Sequence, residues 1–151
     1  MPPAAYQWMK MRAAKGLRFG VAARVENARR QVLLVRLNPE SAWTRKWITP
    51  GGGAEPGESP RSAILREIHE ETGVRVGNLQ LWKVYHESLK TERDEGVSWD
   101  FLQFTAIWIG GRPRSRVPHE ISEVRWFRGL PRNMEFRDDW VCPPRGRFGT
   151  H

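Results

Sequence analysis

The chain has 151 residues, 39% hydrophobic and 28% charged, which fits one globular domain around one core. A single cysteine, Cys142, excludes an internal disulfide and a cysteine-rich zinc site and fits a reducing, cytoplasmic setting. No run reaches membrane-helix length, so no membrane partner is expected, and the net charge of +8 favours anionic partners, either a nucleic acid or a phosphorylated small molecule.

Residues 1–16 lack periodicity and are predicted to be a mobile or loosely packed arm. They carry positive charge but no continuous apolar core, so a secretory leader is not expected. From Leu17 to Val25 apolar and other residues alternate, which predicts a strand. After a turn at Asn27–Arg30, Val32–Val35 is a short apolar run typical of a strand buried on both faces. The two strands read as an antiparallel pair. Residues 38–45 read as a loop. Trp47–Pro50 then reads as a strand stopping abruptly at Gly51-Gly52-Gly53, where the backbone is bare.

Ser59-Pro60 is a helix start, an N-cap followed by proline at the first helical position, and Gly73 is a natural stop. Rotation at about 3.6 residues per turn is read as placing Ile64, Leu65, Ile68 and Thr72 on the packing face. Glu67, Glu70 and Glu71 are read on the opposite side with Ala63 beside them, the small alanine leaving room for something to approach. Leu79–His86 reads as a strand, Glu87–Gly96 as a charged loop, and Trp99–Ile109 as a central strand. Residues 112–119 form a basic loop, Val124–Phe127 a short strand, and 129–140 either a short helix or an ordered loop. The tail from 141 to 151 reads as irregular. The pattern predicts one domain over residues 17–140, of α/β (α+β) class, with a mixed sheet covered by helices.

The acids on the Ser59–Gly73 helix carry the chemical signal. Like charges at i and i+4, here Glu67 and Glu71, destabilise an isolated helix by a few tenths of a kcal/mol, and a bound cation reverses that sign. Clustered carboxylates without thiolates select hard cations, Mg²⁺ with Mn²⁺ as an alternative, rather than zinc.

Gly52, Glu58, Arg66, Glu67, Glu70, Glu71 and Gly73, with apolar Ile68 and Val74, stand at the spacings of the Nudix box, and the chain resembles the Nudix hydrolase family over that stretch. The resemblance implies an α/β/α sandwich with a mixed central sheet. It also implies metal-dependent hydrolysis of a nucleoside diphosphate linked to another moiety. Carried over residue by residue, the Gly51 carbonyl with Glu67, Glu70 and Glu71 would ligate metal. Glu67 would also orient or deprotonate the attacking water. Arg66 would hold the glutamates, Glu58 would brace the loop, and Gly73 would end the helix. Gly52 and Gly53 would let the backbone approach phosphate. Many members use a further carboxylate beyond the box; Glu120 is the first candidate and Glu123 the second. The family often forms homodimers.

The box defines a reaction rather than a substrate. No proline occurs between Val74 and Pro113, which disfavours an ADP-ribose hydrolase, and Tyr85 lies too near the box for a dinucleoside polyphosphate hydrolase. The segment Leu130–Trp140 resembles the base-reading segment of oxidised-purine nucleoside triphosphatases. There Phe136 would stack on the base and Asp138 and Asp139 would meet its nitrogens. The alternative is a helix N-terminus or a solvated turn at Asp138-Asp139 with Phe136 and Trp140 in the core. The expected substrate is therefore a nucleoside triphosphate. A triphosphorylated RNA 5′ end is possible but not favoured, and a non-catalytic nucleotide- or RNA-binding module is the non-enzymatic reading.

Overall fold

The computed structural model describes residues 3–91 and 94–141. In chain order these form helix α1 (Pro3–Ala14), strands β1 (Phe19–Glu26), β2 (Val32–Leu37) and β3 (Gly51–Gly53), and helix α2 (Pro60–Thr72). Strands β4 (Arg75–Thr91), β5 (Asp94–Gly110) and β6 (Ile121–Phe127) follow, and a 3₁₀ turn at Arg137–Trp140 closes the described chain. The strands make one mixed sheet in the order β4-β5-β1-β2-β6, with β3 paired to β1. The β1–β5 pair is parallel and the others are antiparallel. This is the expected mixed-sheet α+β class.

Register assigns the faces. Val21, Ala23 and Val25 share a face with Leu102, Phe104 and Ala106 of β5. That face packs on Ala63, Ile64 and Ile68 of α2, together with Leu33, Val74 and Leu79. The other face carries a second cluster, Val32, Leu34, Trp47, Met134 and Trp140. Val32–Val35 of β2 are all essentially inaccessible, as a strand buried on both faces requires.

Helix α2 begins and ends where its sequence says. The Ser59 side chain accepts a hydrogen bond from the Ser62 N–H, Pro60 takes the first helical position, and Gly73 closes the helix at φ 74°. Its faces differ from the prediction. Seven residues is nearly two full turns, so Glu71 lies only about 20° around the helix from Ile64. It is accordingly buried with Ala63, Ile64, Ile68 and Thr72. Leu65, at the margin of the buried arc, is 39% exposed. Ala63 does not leave an opening beside the acids, because it packs in the same core cluster as Ala54.

Three further expectations are corrected. The stretch read as an arm without periodicity contains α1, in which Met9 and Ala13, one turn apart, are the buried residues among the side chains described; two residues are too few to show as a pattern. The strand expected at Trp47–Pro50 is reduced to bridges at Trp47 and Ile48, and the glycines themselves form β3 against Gly20–Ala22. The charged stretch Glu87–Gly96 is not a loop over its length: β4 and β5 continue through it as a paired ribbon as far as Thr91↔Asp94. Its charged residues give no alternating apolar pattern from which a strand could be read. The predicted tail lies, from Cys142 onward, outside the described residues.

Candidate active site

The site is built where α2 passes the bare backbone of β3. Gly51 donates its N–H to Glu71 Oε1 at 2.7 Å. At the next residue a Cβ on Gly52 would stand 2.6 Å from Glu67 Oε1, so only glycine admits the Glu67 carboxylate here. Adjacent glycines therefore meet acids one helical turn apart, Gly51 with Glu71 and Gly52 with Glu67.

Arg66 ties the loop to the helix. Its Nε donates to Glu58 Oε2 at 2.7 Å and its Nη2 to Glu58 Oε1 at 2.9 Å, a forked pair. Nη2 also reaches the Gly53 carbonyl at 3.0 Å, and Nη1 reaches Glu67 at 3.1 Å and Glu70 at 3.2 Å. One guanidinium thus spans the loop and two of the helix acids, and Glu58 is its firmest partner. That hydrogen bond holds the Glu58 carboxyl below the usual carboxylate range and pushes Arg66 further up.

Glu67 and Glu71 are perturbed the other way. Burial pushes Glu67 up to about 7, against the pull of Arg66 and with help from the charge of Glu70. Burial also raises Glu71 well above its ordinary value, and the nearby charge of Glu67 adds to it. The negative charge of Glu120 acts on both. Among the described residues no three metal-ligating side chains converge closely enough to enclose an ion as they stand. The donor set nevertheless fits a hard divalent cation: the ligands are oxygens only, and Glu67 and Glu71 repel each other where burial disfavours their charge.

A pH dependence follows. Glu67 and Glu71 have folded-state values raised above those of the unfolded chain. The stability of the metal-free fold is therefore greatest below about pH 4.5 as far as these groups are concerned, and is lost as pH rises through about 7. For Glu67 alone the shift from 4.5 to about 7 is on the order of 3 kcal/mol. Thermal melts in chelator are expected to show a falling midpoint between pH 5 and pH 8, with Mg²⁺ raising the midpoint more at pH 8 than at pH 5. A metal-free midpoint that climbs over that interval would contradict the assignment.

Outside the box the structure separates the candidates. Glu120 is exposed in the loop before β6, yet close enough to act on Glu67 and Glu71, and its backbone accepts from Asn38. Glu123 lies on β6 and is held by Arg36 and Arg125, each at 3.3 Å. Phe136 is 53% exposed, in a left-handed conformation (φ 55°), beside Trp43 with ring centroids 6.1 Å apart. It is not in the core, whereas Trp140 is, against Trp82 at 5.7 Å. Asp138 and Asp139 open the 3₁₀ turn, and Asp138 is exposed. His69 lies on the exposed side of α2 in contact with Arg116.

Sequence reasoning missed Trp43, which extends the aromatic surface at Phe136, and Arg12, which reaches the glycine loop from α1 and donates to the Ala54 carbonyl. Neither carries a motif; an arginine in an unpatterned segment gives no sign of where it will land.

A family model described as the NUDIX domain matches residues 16–128. Among curated proteins, the chain is 39% identical over 96 residues to a Bacillus subtilis (strain 168) protein described as uncharacterized Nudix hydrolase YvcI, covering 64% of this chain and 57% of that one. It is 49% identical over 45 residues to mouse diphosphoinositol polyphosphate phosphohydrolase 3-alpha, covering 30% of this chain and 26% of the relative. The chain thus spans little more than half the length of the first relative and about a quarter of the second. Among solved structures, a MutT NUDIX hydrolase from Burkholderia pseudomallei superposes with a TM-score of 0.62 at 26% identity, over 79% of this chain and 90% of that one. A NUDIX hydrolase from Nitrosomonas europaea gives a TM-score of 0.58 at 29% identity, over 74% and 72%.

Proposed function

Because the chain belongs to the Nudix hydrolase family, enzymes that act on phosphoric anhydride bonds, we propose that it hydrolyses a nucleoside triphosphate to a monophosphate and pyrophosphate with Mg²⁺, or Mn²⁺ in its place. The observation that carries this reading is the pairing of Glu67 and Glu71 with consecutive glycines, two mutually repelling carboxylates set directly against main chain.

In this proposal Glu67, Glu70 and Glu71 hold the ion with the Gly51 carbonyl, and Glu120 assists from its loop. When bound, the ion supplies neutralisation of phosphate charge and an acidified water. Glu67 orients or deprotonates the attacking water. Arg66 positions the acids, and its bond to the Gly53 carbonyl keeps the glycine backbone at a fixed height over them. Phosphoryl transfer asks little more of a protein than such positioning and charge. Exposed Phe136 offers a stacking surface for a base, enlarged by Trp43, which supports a purine substrate, an oxidised one included.

A metal-supplemented panel tests the proposal: the common and oxidised purine triphosphates, nucleotide sugars, dinucleoside polyphosphates and a triphosphorylated oligonucleotide, with products identified. The expected result is Mg²⁺-dependent release of pyrophosphate from a free triphosphate. Preference for the oligonucleotide would replace this substrate by an RNA 5′ end, and preference for a nucleotide sugar would move the cleaved bond to a diphosphate bridge.

A further inference from the structure

Glu120 differs from the acids of the box in how it is held. Glu58, Glu67 and Glu70 each accept from Arg66, and Glu71 accepts the Gly51 N–H. The Glu120 side chain is 63% exposed, and its ion-pair partner among the described residues is His119 Nε2 at 3.7 Å, too long for a hydrogen bond. Its charge nevertheless acts on Glu67 and Glu71. With no firm side-chain anchor, the place of this carboxylate is set by its backbone.

That backbone is fixed by the loop after β2. Leu37 pairs with Ile121 and Arg36 with Glu123, so Ser122 is the extra residue of a bulge where the ladder ends. Its hydroxyl reaches the Arg36 and Leu37 carbonyls, both at 3.3 Å. Beyond the ladder Asn38 takes over. Its main-chain N–H donates to the Glu120 carbonyl at 2.7 Å, and its Nδ2 donates to the Pro118 carbonyl at 3.0 Å. Ser41 Oγ donates to the carbonyl between them, that of His119, at 3.4 Å. Three consecutive carbonyls ending at Glu120 are thus held by Asn38 and Ser41. The Asn38 Oδ1 accepts the Glu40 N–H at 3.0 Å, a turn closed by the side chain, and so the amide has one orientation. From the other side, the Glu120 and Ile121 N–H groups both donate to the Val117 carbonyl at 2.8 Å. The far end of the Asn38 loop is pinned as well. Thr44 Oγ1 donates to Glu135 Oε2 at 2.8 Å, and Trp43 lies against Phe136.

We infer that Asn38 is a positioning residue for Glu120: it clamps the carbonyls of residues 118–120 so that the unanchored carboxylate stays within reach of Glu67 and Glu71. The inference deepens the pyrophosphohydrolase reading above and rests on the part given there to Glu120. The acids repel one another while no ion is bound, and the exposed one is the one free to swing away. A backbone clamped during folding meets that ordering cost before an ion arrives. Asparagine suits the task, because one short side chain offers a donor and an acceptor and adds no charge to the acids. Aspartate would lose the donor and add to the repulsion.

The test is a double-mutant cycle on the full chain: the unaltered protein, Asn38→Ala, Glu120→Gln and the two combined. Mn²⁺ affinity is read by electron paramagnetic resonance without substrate, and kcat and KM are read with the triphosphate that the panel selects. Asn38→Ala is expected to weaken Mn²⁺ binding about fivefold, the scale of one lost hydrogen bond. At a fixed, subsaturating Mg²⁺ concentration it is expected to lower kcat about as much, with KM moving less than about twofold. In the Glu120→Gln background the same change is expected to alter either reading by less than about 1.5-fold, because the group it positions has lost its charge. Equal losses in both backgrounds overturn the positioning role, and so does an unchanged Mn²⁺ affinity in Asn38→Ala. If Asn38→Ala lowers the melting point by more than about 5 °C, Ser41→Ala, which removes only the bond to the His119 carbonyl, is read in the same cycle with the same criteria. Glu120→Gln with unaltered Mn²⁺ affinity and turnover would remove Glu120 from the site and the inference with it, leaving hydrolysis to Glu67, Glu70 and Glu71. Coupled Mn²⁺ affinities in a protein that hydrolyses no member of the panel would keep the clamp and remove the enzymatic reading.

Discussion

Replacing Glu71 by glutamine is expected to lower metal-dependent turnover by about two to three orders of magnitude, the scale on which a single fixed charge at a reacting phosphate acts. The same change is expected to raise the thermal midpoint of the metal-free protein at pH 8, by about 5 °C. The two effects have one origin. Glu71 is buried among Ile64, Ile68 and Thr72, and its neighbours Glu67, Glu70 and Glu120 repel its charge. Glutamine keeps a carbonyl oxygen to accept the Gly51 N–H and removes the charge. A residue that stabilises the fold when neutralised and destroys activity at the same time is held for its charge, not for packing. Kinetics and melts on Glu71→Gln, with and without Mg²⁺, read both halves. Unchanged turnover would remove Glu71 from the catalytic set; lowered turnover with a lowered metal-free midpoint would make it structural.

Arg66→Met is expected to be the most destabilising single change in the box, by about 3–5 kcal/mol, because it leaves buried carboxylates without their cation. At this chain length that is a fall of roughly 10 °C in melting point. Arg66 makes two hydrogen bonds to Glu58, one to the Gly53 carbonyl and one each to Glu67 and Glu70. Losing it frees the glycine loop from α2, so activity should fall with stability. The pair Glu58→Gln and Arg66→Met separates the contributions. If the forked bond is the main tie, the double variant costs clearly less than the sum of the singles. Strict additivity would mean that Arg66 acts chiefly through Gly53 and the helix acids.

The box was legible because its requirements are local. Pro60, the Ser59 cap and the Gly73 stop act within a turn of the helix they bound, and the observed helix is the predicted one to the residue. The strands β1, β2 and β6 were recognisable from alternation or from a continuous apolar run, since each lies against a core. The faces of α2 were misread where a count of turns was needed: Glu71 was placed with the solvent-facing acids although it lies nearly in line with Ile64. The β4–β5 ribbon was misread because its outer part is a charged stretch without apolar alternation. Helix α1 was missed because Met9 and Ala13, the buried residues among its described side chains, leave no periodic trace.

What the order of residues settles alone is the proposed reaction centre: which glycines, which arginine and which four glutamates share one loop and one helix, because these elements are built from neighbouring residues. What needs the folded chain is everything brought in from a distance. Arg12 reaches Gly53 and Ala54 from 41 and 42 positions earlier. Trp99 comes to Gly20 only through the β1–β5 register. Trp43 meets Phe136 across 93 positions. The burial that lifts Glu67 and Glu71 above the ordinary carboxylate range likewise exists only when α2 is pressed against the sheet. Local backbone chemistry writes the first set into the sequence, whereas the second depends on which faces of the sheet are covered and by what, and a single chain read in one dimension carries no record of that.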